Sequence, residues 1–420
     1  MRTRTIRTLG VTAALLTALT TLTACGGRGG ETGTVGQGDC RGQQTTGLTD
    51  TTLKLGGVYP LSGPASAYGA IPKGIQAYFD YVNAEQGGIG GRKVEYLVRD
   101  DGYQPPKTVE ETRRLVEQDQ VFAVFQTLGT ATSSAVRDYL GQRKVPQIFV
   151  ASGATEFGAD TEHPWTIGWQ PSYRTEGLAY AQHVKTVRPN ATVAVLYQND
   201  DFGKDLLKAF TEGIAGSGVR IVAEQSFEVT DPTVDAQVRN LANAKADVLL
   251  NFATPKFASQ ALAADARNTD WNPLHVLTQV SNTMATLRPV GLANVQGTVS
   301  AAFLKDAADP RWATDEGMRT YKSKLAQYAP GVDAENQHTM AGWAMAESFR
   351  KTFEAATCPT RQGLRDAMRS LDGVAADLML PGITMKTGAG DGYPIEAVGI
   401  QTFSGEHWSL ADGLIDTAGR

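Results

Sequence analysis

Val121-Phe122-Ala123-Val124-Phe125-Gln126-Thr127-Leu128 runs through Gly129 and Thr130 into a second segment, Ala131-Thr132-Ser133-Ser134-Ala135-Val136-Arg137-Asp138-Tyr139-Leu140, and Gln147-Ile148-Phe149-Val150-Ala151 follows. The first eight residues are nearly all apolar, the pattern of a strand covered on both faces in a parallel sheet. Thr130 to Lys144 reads as a helix and Gln147 to Ala151 as the next strand. One strand–helix–strand unit of this kind predicts a parallel sheet with helices packed on it.

The unit recurs on both sides. Upstream, a strand from Leu53 to Leu61 precedes a helix over Ile71 to Asn83, where Ile71, Ile75, Tyr78 and Val82 share one face. Gly87-Gly88-Ile89-Gly90-Gly91 then turns the chain into a strand, Val94 to Val98, and Pro105 to Asp119 reads as a helix with proline in its first turn. Beyond Pro171 the spacing predicts helix 174–188, strand 192–198, helix 203–215, strand 219–227, helix 233–244, strand 247–253, helix 256–268 and strand 274–279. Residues 300–380 add helices, and Ala397 to Trp408 is strand-rich. At 420 residues the chain exceeds what one core usually holds. The expected fold is therefore α/β, with two doubly wound parallel-sheet lobes.

The amino terminus gives the address. Arg2, Arg4 and Arg7 precede an apolar stretch from Leu9 to Leu22, which leads through Thr23 and Ala24 to Cys25. Its length suits a secretory signal and is short for a membrane-spanning helix. Leu22-Thr23-Ala24-Cys25 resembles the lipobox of bacterial lipoproteins, so Cys25 is the expected lipidation site; the plain alternative is a cleaved signal with an incidental cysteine. Residues 26–50, rich in Gly, Thr and Gln, read as a solvated tether. Without residues 1–24 the chain carries 36 basic against 44 acidic residues, a net charge of −8. That balance offers no basic patch for nucleic acid and no cationic helix for a membrane surface. Cys40 and Cys358 remain, and in an oxidising exterior they are expected to form a disulfide.

Ligands in open parallel sheets bind beyond the carboxyl ends of the strands. The loops in that place are Pro60 to Pro64 with Ser62 and, just beyond, Tyr68; Leu128-Gly129-Thr130; and Ala151-Ser152-Gly153. In the second half they are Tyr197 to Gly203, Phe252 to Lys256 and Thr278 to Asn282. Gly129 permits close approach, Thr130 offers a capping hydroxyl, and the first-turn N–H groups would favour an anion; a plain helix cap is the bland alternative. No G-x-S-x-G, H-E-x-x-H, P-loop or G-x-G-x-x-G occurs, so no enzyme, cofactor or metal site is expected. His163, His183, His275, His338 and His407 have no metal-ligand spacing; His338, near Gln337 and Trp343, is the one within reach of a cleft, against the plainer reading of a helix-face residue. Asp201 is read as the cap of the helix beginning near Gly203. Trp169, Trp271 and Trp343 fit pocket or core equally.

Several of these segments carry a family resemblance. Leu61-Ser62-Gly63-Pro64 with Tyr68-Gly69, Val82-Asn83 before the glycine cluster and Arg92-Lys93, Asp100-Asp101, Asn199-Asp200-Asp201-Phe202-Gly203 and Leu380-Pro381-Gly382-Ile383 resemble branched-chain amino acid (Leu/Ile/Val) binding proteins. The resemblance spans about residues 53–410. It implies a type 1 periplasmic-binding-protein fold, with two lobes joined by three crossovers, here near residues 171, 299 and 385, and a hinge that closes on a small molecule for an ABC permease and ATPase. The implied division is 1–24 signal peptide, 25–52 flexible tether, 53–171 with 300–384 N-terminal lobe, and 172–299 with 385–412 C-terminal lobe. The protein is expected to act as a monomer anchored by lipid alone. The same fold also serves ligand sensors that signal through a membrane partner, but no output segment is present here. By position, Thr130 would bind a ligand carboxylate and Ala151 would accept from an ammonium. Gly153 stands where the family has threonine; Phe202 and Thr254 replace tyrosines. Val280, next to Gln279, stands where the family has the glutamate that pairs with the ammonium. The resemblance thus implies a pocket poorly equipped for an α-amino acid unless Asp200 or Asp201 substitutes. An uncharged or carboxylate-bearing ligand suits it better, with Tyr68, Trp169 and Phe202 available to stack on an aromatic one.

Overall fold

The computed structural model describes residues 40–158 and 161–418. Cys25, with the signal and lipidation expectations, lies outside the described residues.

The first lobe contains β1 (Thr52–Tyr59), α1 (Ile71–Glu85), β2 (Lys93–Asp100), α2 (Pro105–Arg113), β3 (Ala123–Thr127), α3 (Thr130–Gln142), β4 (Gln147–Val150) and β5 (Thr166–Gly168). The five strands form a parallel sheet in the order β2-β1-β3-β4-β5. Every residue of β3 and β4 is buried, as the apolar run predicts. On α1 the spacing of Ile71, Ile75, Tyr78 and Val82 puts all four into the core, each contributing about 1.5–3 kcal/mol by burial.

The second lobe holds α4 (Tyr173–Val187), β6 (Thr192–Gln198), α5 (Asp201–Ile214), β7 (Arg220–Phe227), α6 (Asp235–Ala242), β8 (Val248–Phe252), α7 (Pro255–Ala266), β9 (Leu274–Leu277), the single turn α8 (Met284–Leu287) and β10 (Val299–Ala302). Strands β7-β6-β8-β9-β10 run parallel. The chain then returns to the first lobe with α9 (Glu316–Tyr328), α10 (Gln337–Glu354) and α11 (Arg361–Met368), before β11 (Ala397–Ser404), β12 (His407–Leu410) and β13 (Ile415–Asp416) complete the second sheet in antiparallel fashion. Two parallel-sheet α/β lobes are thus present. The second and third crossings fall slightly later than the boundaries read from sequence. β10 belongs to the second sheet, and Met385 and Ile395 still pack in the core of the first lobe, whereas Val398 packs in the second.

Helix α10 lies tightly on α1. A Cβ on Gly74 would stand 1.9 Å from the Thr339 carbonyl oxygen, and one on Gly342 2.1 Å from that of Ile71. Only glycine lets the two backbones approach so closely.

The stretch read as a flexible tether is corrected for residues 40–52. Cys40 is disulfide-bonded to Cys358 with their Cα atoms 5.6 Å apart. The Arg361 guanidinium donates to Gln44 Oε1 at 3.2 Å, Leu48 packs against the first core, and Leu48 pairs with Leu53 in a short bridge. Low hydrophobicity misled here because the segment is held by a covalent bond and polar contacts.

Candidate functional site

Loops from the carboxyl ends of both sheets meet around one cavity of about 100 Å³, on a scale where one water needs roughly 10–15 Å³. The first lobe supplies Tyr103 after β2, Leu128 and Gly129 after β3, and Ala151 after β4. The second supplies Phe202 at the start of α5, Thr254 after β8, and Gln279 and Val280 after β9. Gln170, on the first crossing between lobes, also lines it, as do Phe303, Met345 and Trp408. The wall is mostly apolar.

Seven positions expected from sequence line the cavity: Tyr68, Leu128, Gly129, Ala151, Phe202, Thr254 and Gln279. Ser62, Thr130, Ser152 and Gly153 do not. Ser62 is exposed and its hydroxyl donates to Asp100 Oδ2 at 2.7 Å. Burial acts to raise the Asp100 pKa, but hydrogen bonds from Ser62, Gly102 and Leu61 outweigh it and hold the carboxyl at about 2. Thr130 is 1% exposed, and its hydroxyl shares a 2.7 Å bond with that of Ser152. The cap of α3 is Gly129, with φ 96°, rather than the Thr130 hydroxyl. Gly153 serves packing: a Cβ there would sit 2.7 Å from the Pro171 carbonyl oxygen and 2.8 Å from the Tyr173 ring.

Other expectations change too. Asp200, not Asp201, caps α5, accepting from Gly203 N at 3.2 Å. Trp169 is fully buried and donates to Ser348 Oγ at 3.0 Å, so it belongs to the core, as do Trp271 and Trp343. His338 does reach the cavity. Its Nε2 lies 3.2 Å from the Val280 carbonyl of the other lobe and its Nδ1 3.3 Å from that of Ala67. Burial pushes its pKa down against both carbonyls, so the ring is neutral at pH 7 and donates to one of them.

Further contacts span the lobes. Met284 N donates to Gln337 Oε1 at 3.2 Å, and Thr155 N to Asp205 Oδ2 at 2.9 Å. Tyr103, Gln170, Asp306 and Trp408 were missed from sequence. The signal for Tyr103 was its place two residues after Asp100-Asp101, at a strand's carboxyl end; the crossings alone bring in the other three.

Val280 lines the cavity without a carboxylate. Glu176 lies behind it in α4, fully buried, accepting from Gln279 N at 2.9 Å and the Tyr180 hydroxyl at 2.8 Å. Burial raises its pKa. The charged side chains in the wall are engaged: Lys305 Nζ bonds Asp315 at 2.7 Å, and Asp306 accepts from Trp408 N at 2.8 Å and Ala308 N at 3.0 Å. Among the described residues no group of three or more His, Cys, Asp or Glu is placed to hold a metal ion.

The geometry has relatives. A chain from Thermus thermophilus described as a branched-chain amino acid ABC transporter with bound valine superposes with TM-score 0.77 over 88% of this chain and 98% of that one, at 17% identity. A fatty acid ABC transporter substrate-binding protein from Thermomonospora curvata gives 0.75 over 90% and 95%, at 23% identity. The Leu/Ile/Val-binding protein homolog 7 of Brucella suis is 26% identical over 213 residues, 47% of this chain and 51% of that protein. The chain thus spans about half the length of the curated relatives it matches. The family described as periplasmic binding protein matches residues 52–405, nearly all of both lobes, and the chain belongs to that family.

Proposed function

We propose that the protein is the extracytoplasmic substrate-binding component of an ABC importer, anchored to the outer face of the cell membrane by lipid on Cys25. It captures one small molecule with an apolar body between two closing lobes, as a monomer and without a cofactor. The observation that carries this reading is a cavity walled by both lobes, at the carboxyl ends of both sheets. Polar contacts across the lobes, at His338, Gln337 and Thr155, are those a closed form makes and an open form gives up. Relatives described as binding leucine-type amino acids and as a fatty acid transporter component fit an apolar ligand body. The ligand head differs from that of an α-amino acid, because an ammonium beside Val280 would be buried without a counter-charge, at a cost of several kcal/mol.

Small-angle scattering on the purified protein tests capture. Branched-chain and aromatic amino acids, the matching acids and amides, polyamines and sugars are added in turn, with thermal stability followed in parallel. An apolar-bodied compound is expected to raise the melting temperature and shrink the radius of gyration. Stabilisation by polyamines or sugars alone, or without compaction, contradicts the reading.

A further inference from the structure

Most polar side chains in the cavity wall already have partners. Thr254 donates to Gln198 Oε1, Gln401 to the Ala301 carbonyl, and Lys305 to Asp315. Gln279 stands apart. It is 8% exposed, lines the cavity, and has neither Oε1 nor Nε2 in a hydrogen bond. Gln170 leaves its Nε2 unbonded in the same wall. A buried amide without partners costs about 1–3 kcal/mol per group, so such a pair persists where a ligand completes it.

We propose that Gln279 reads the ligand's polar head, with Gln170 adding a donor, and that this head is an uncharged carboxamide-type group offering one carbonyl and one N–H. The inference deepens the capture reading and rests on it.

The chemistry follows from counting. Gln279 presents one acceptor and two N–H donors, whichever way its amide is turned. A carboxamide satisfies both kinds at once. An ammonium would meet Oε1 only, and a carboxylate would meet the donors and leave Oε1 bare. Among the described residues a charged head would also find no free counter-charge in the cavity wall itself, since Lys305 is committed to Asp315 and Asp306 accepts from two backbone N–H groups. Glu176 stands behind Gln279 with Oε2 unbonded, near enough for the amide to influence it yet outside hydrogen-bond geometry. If the amide turns to donate there, Oε1 still faces a ligand N–H, and Gln170 still offers a donor to the carbonyl.

Isothermal titration with probes of one body and four heads tests this: isovaleramide, isovalerate, isoamylamine and leucine, then phenylacetamide, phenylacetate, phenethylamine and phenylalanine. The carboxamide is expected to bind at least about ten-fold tighter than its acid, amine and amino-acid partners. Gln279→Leu should lose about ten-fold in carboxamide affinity, and Gln279→Glu should turn the preference to the amine. Gln170→Leu, at a half-buried position, gives a smaller loss and serves if a Gln279 variant does not fold. A wild-type preference for the acid or the amino acid, accompanied by compaction, overturns the head assignment and leaves capture standing. Carboxamide affinity within two-fold in folded Gln279→Leu overturns it as well. Absence of binding by all eight probes overturns the head assignment; capture falls too only if the broader compound panel is equally silent in scattering.

Discussion

At the scale of single residues, the site turns on which hydroxyls and amides are already spoken for. Thr130 looks like a ligand group in sequence because it follows Gly129 at a helix start. In the fold its hydroxyl is spent on Ser152. Thr130→Val should therefore lower the unfolding free energy by about 1 kcal/mol in urea titration and leave ligand affinity within about two-fold; a ten-fold loss of affinity would return the hydroxyl to the site. Residues lying next to a strand's carboxyl end, such as Leu128, Gly129 and Ala151, were legible because a parallel sheet fixes where its loops gather. Tyr68 and Trp169 illustrate the opposite. Both are aromatic residues close to predicted loops, but one lines the cavity and the other is sealed in the core. Composition cannot separate them, since the difference is made by neighbours far away in the chain.

At the scale of elements, the alternation of apolar strands and amphipathic helices made most of the lobes readable. Strand β6 was read to the residue, and β3 and β4 to within two. The short strand β5 was not readable because three residues carry too little pattern, and the place of β10 in the second sheet was not, because it is set by pairing with β9 and with the distant β11. The segment after Cys40 was read as tether for a similar reason. Its fastening is one disulfide across 318 residues and a few bonds to Thr360 and Arg361, which no local pattern records. Closing so long a loop constrains the unfolded chain strongly. The Cys40→Ser/Cys358→Ser double variant should lose about 2–4 kcal/mol of stability, measured by urea unfolding under non-reducing conditions. Unchanged stability would mean the tail adds nothing to the fold.

At the scale of the whole molecule, three passages of the chain between lobes make one cavity out of segments as distant as Tyr68 and Trp408. Under the proposed function, the same passages would let the lobes move as bodies, with His338, Gln337 and Thr155 as the contacts of the closed form. On that proposal, capture and closure would be one event, decided at the cavity. The most direct test fills it. Ala341 is a half-buried residue of α10 in the cavity wall, and Ala341→Trp would occupy the space a ligand needs. Thermal stabilisation of this variant is measured beside the unaltered protein, over the panel used for scattering. A compound at a hundred times its dissociation constant should stabilise the unaltered protein by about 2.7 kcal/mol and the filled variant by almost nothing. Equal stabilisation of both would place the ligand elsewhere and contradict the account.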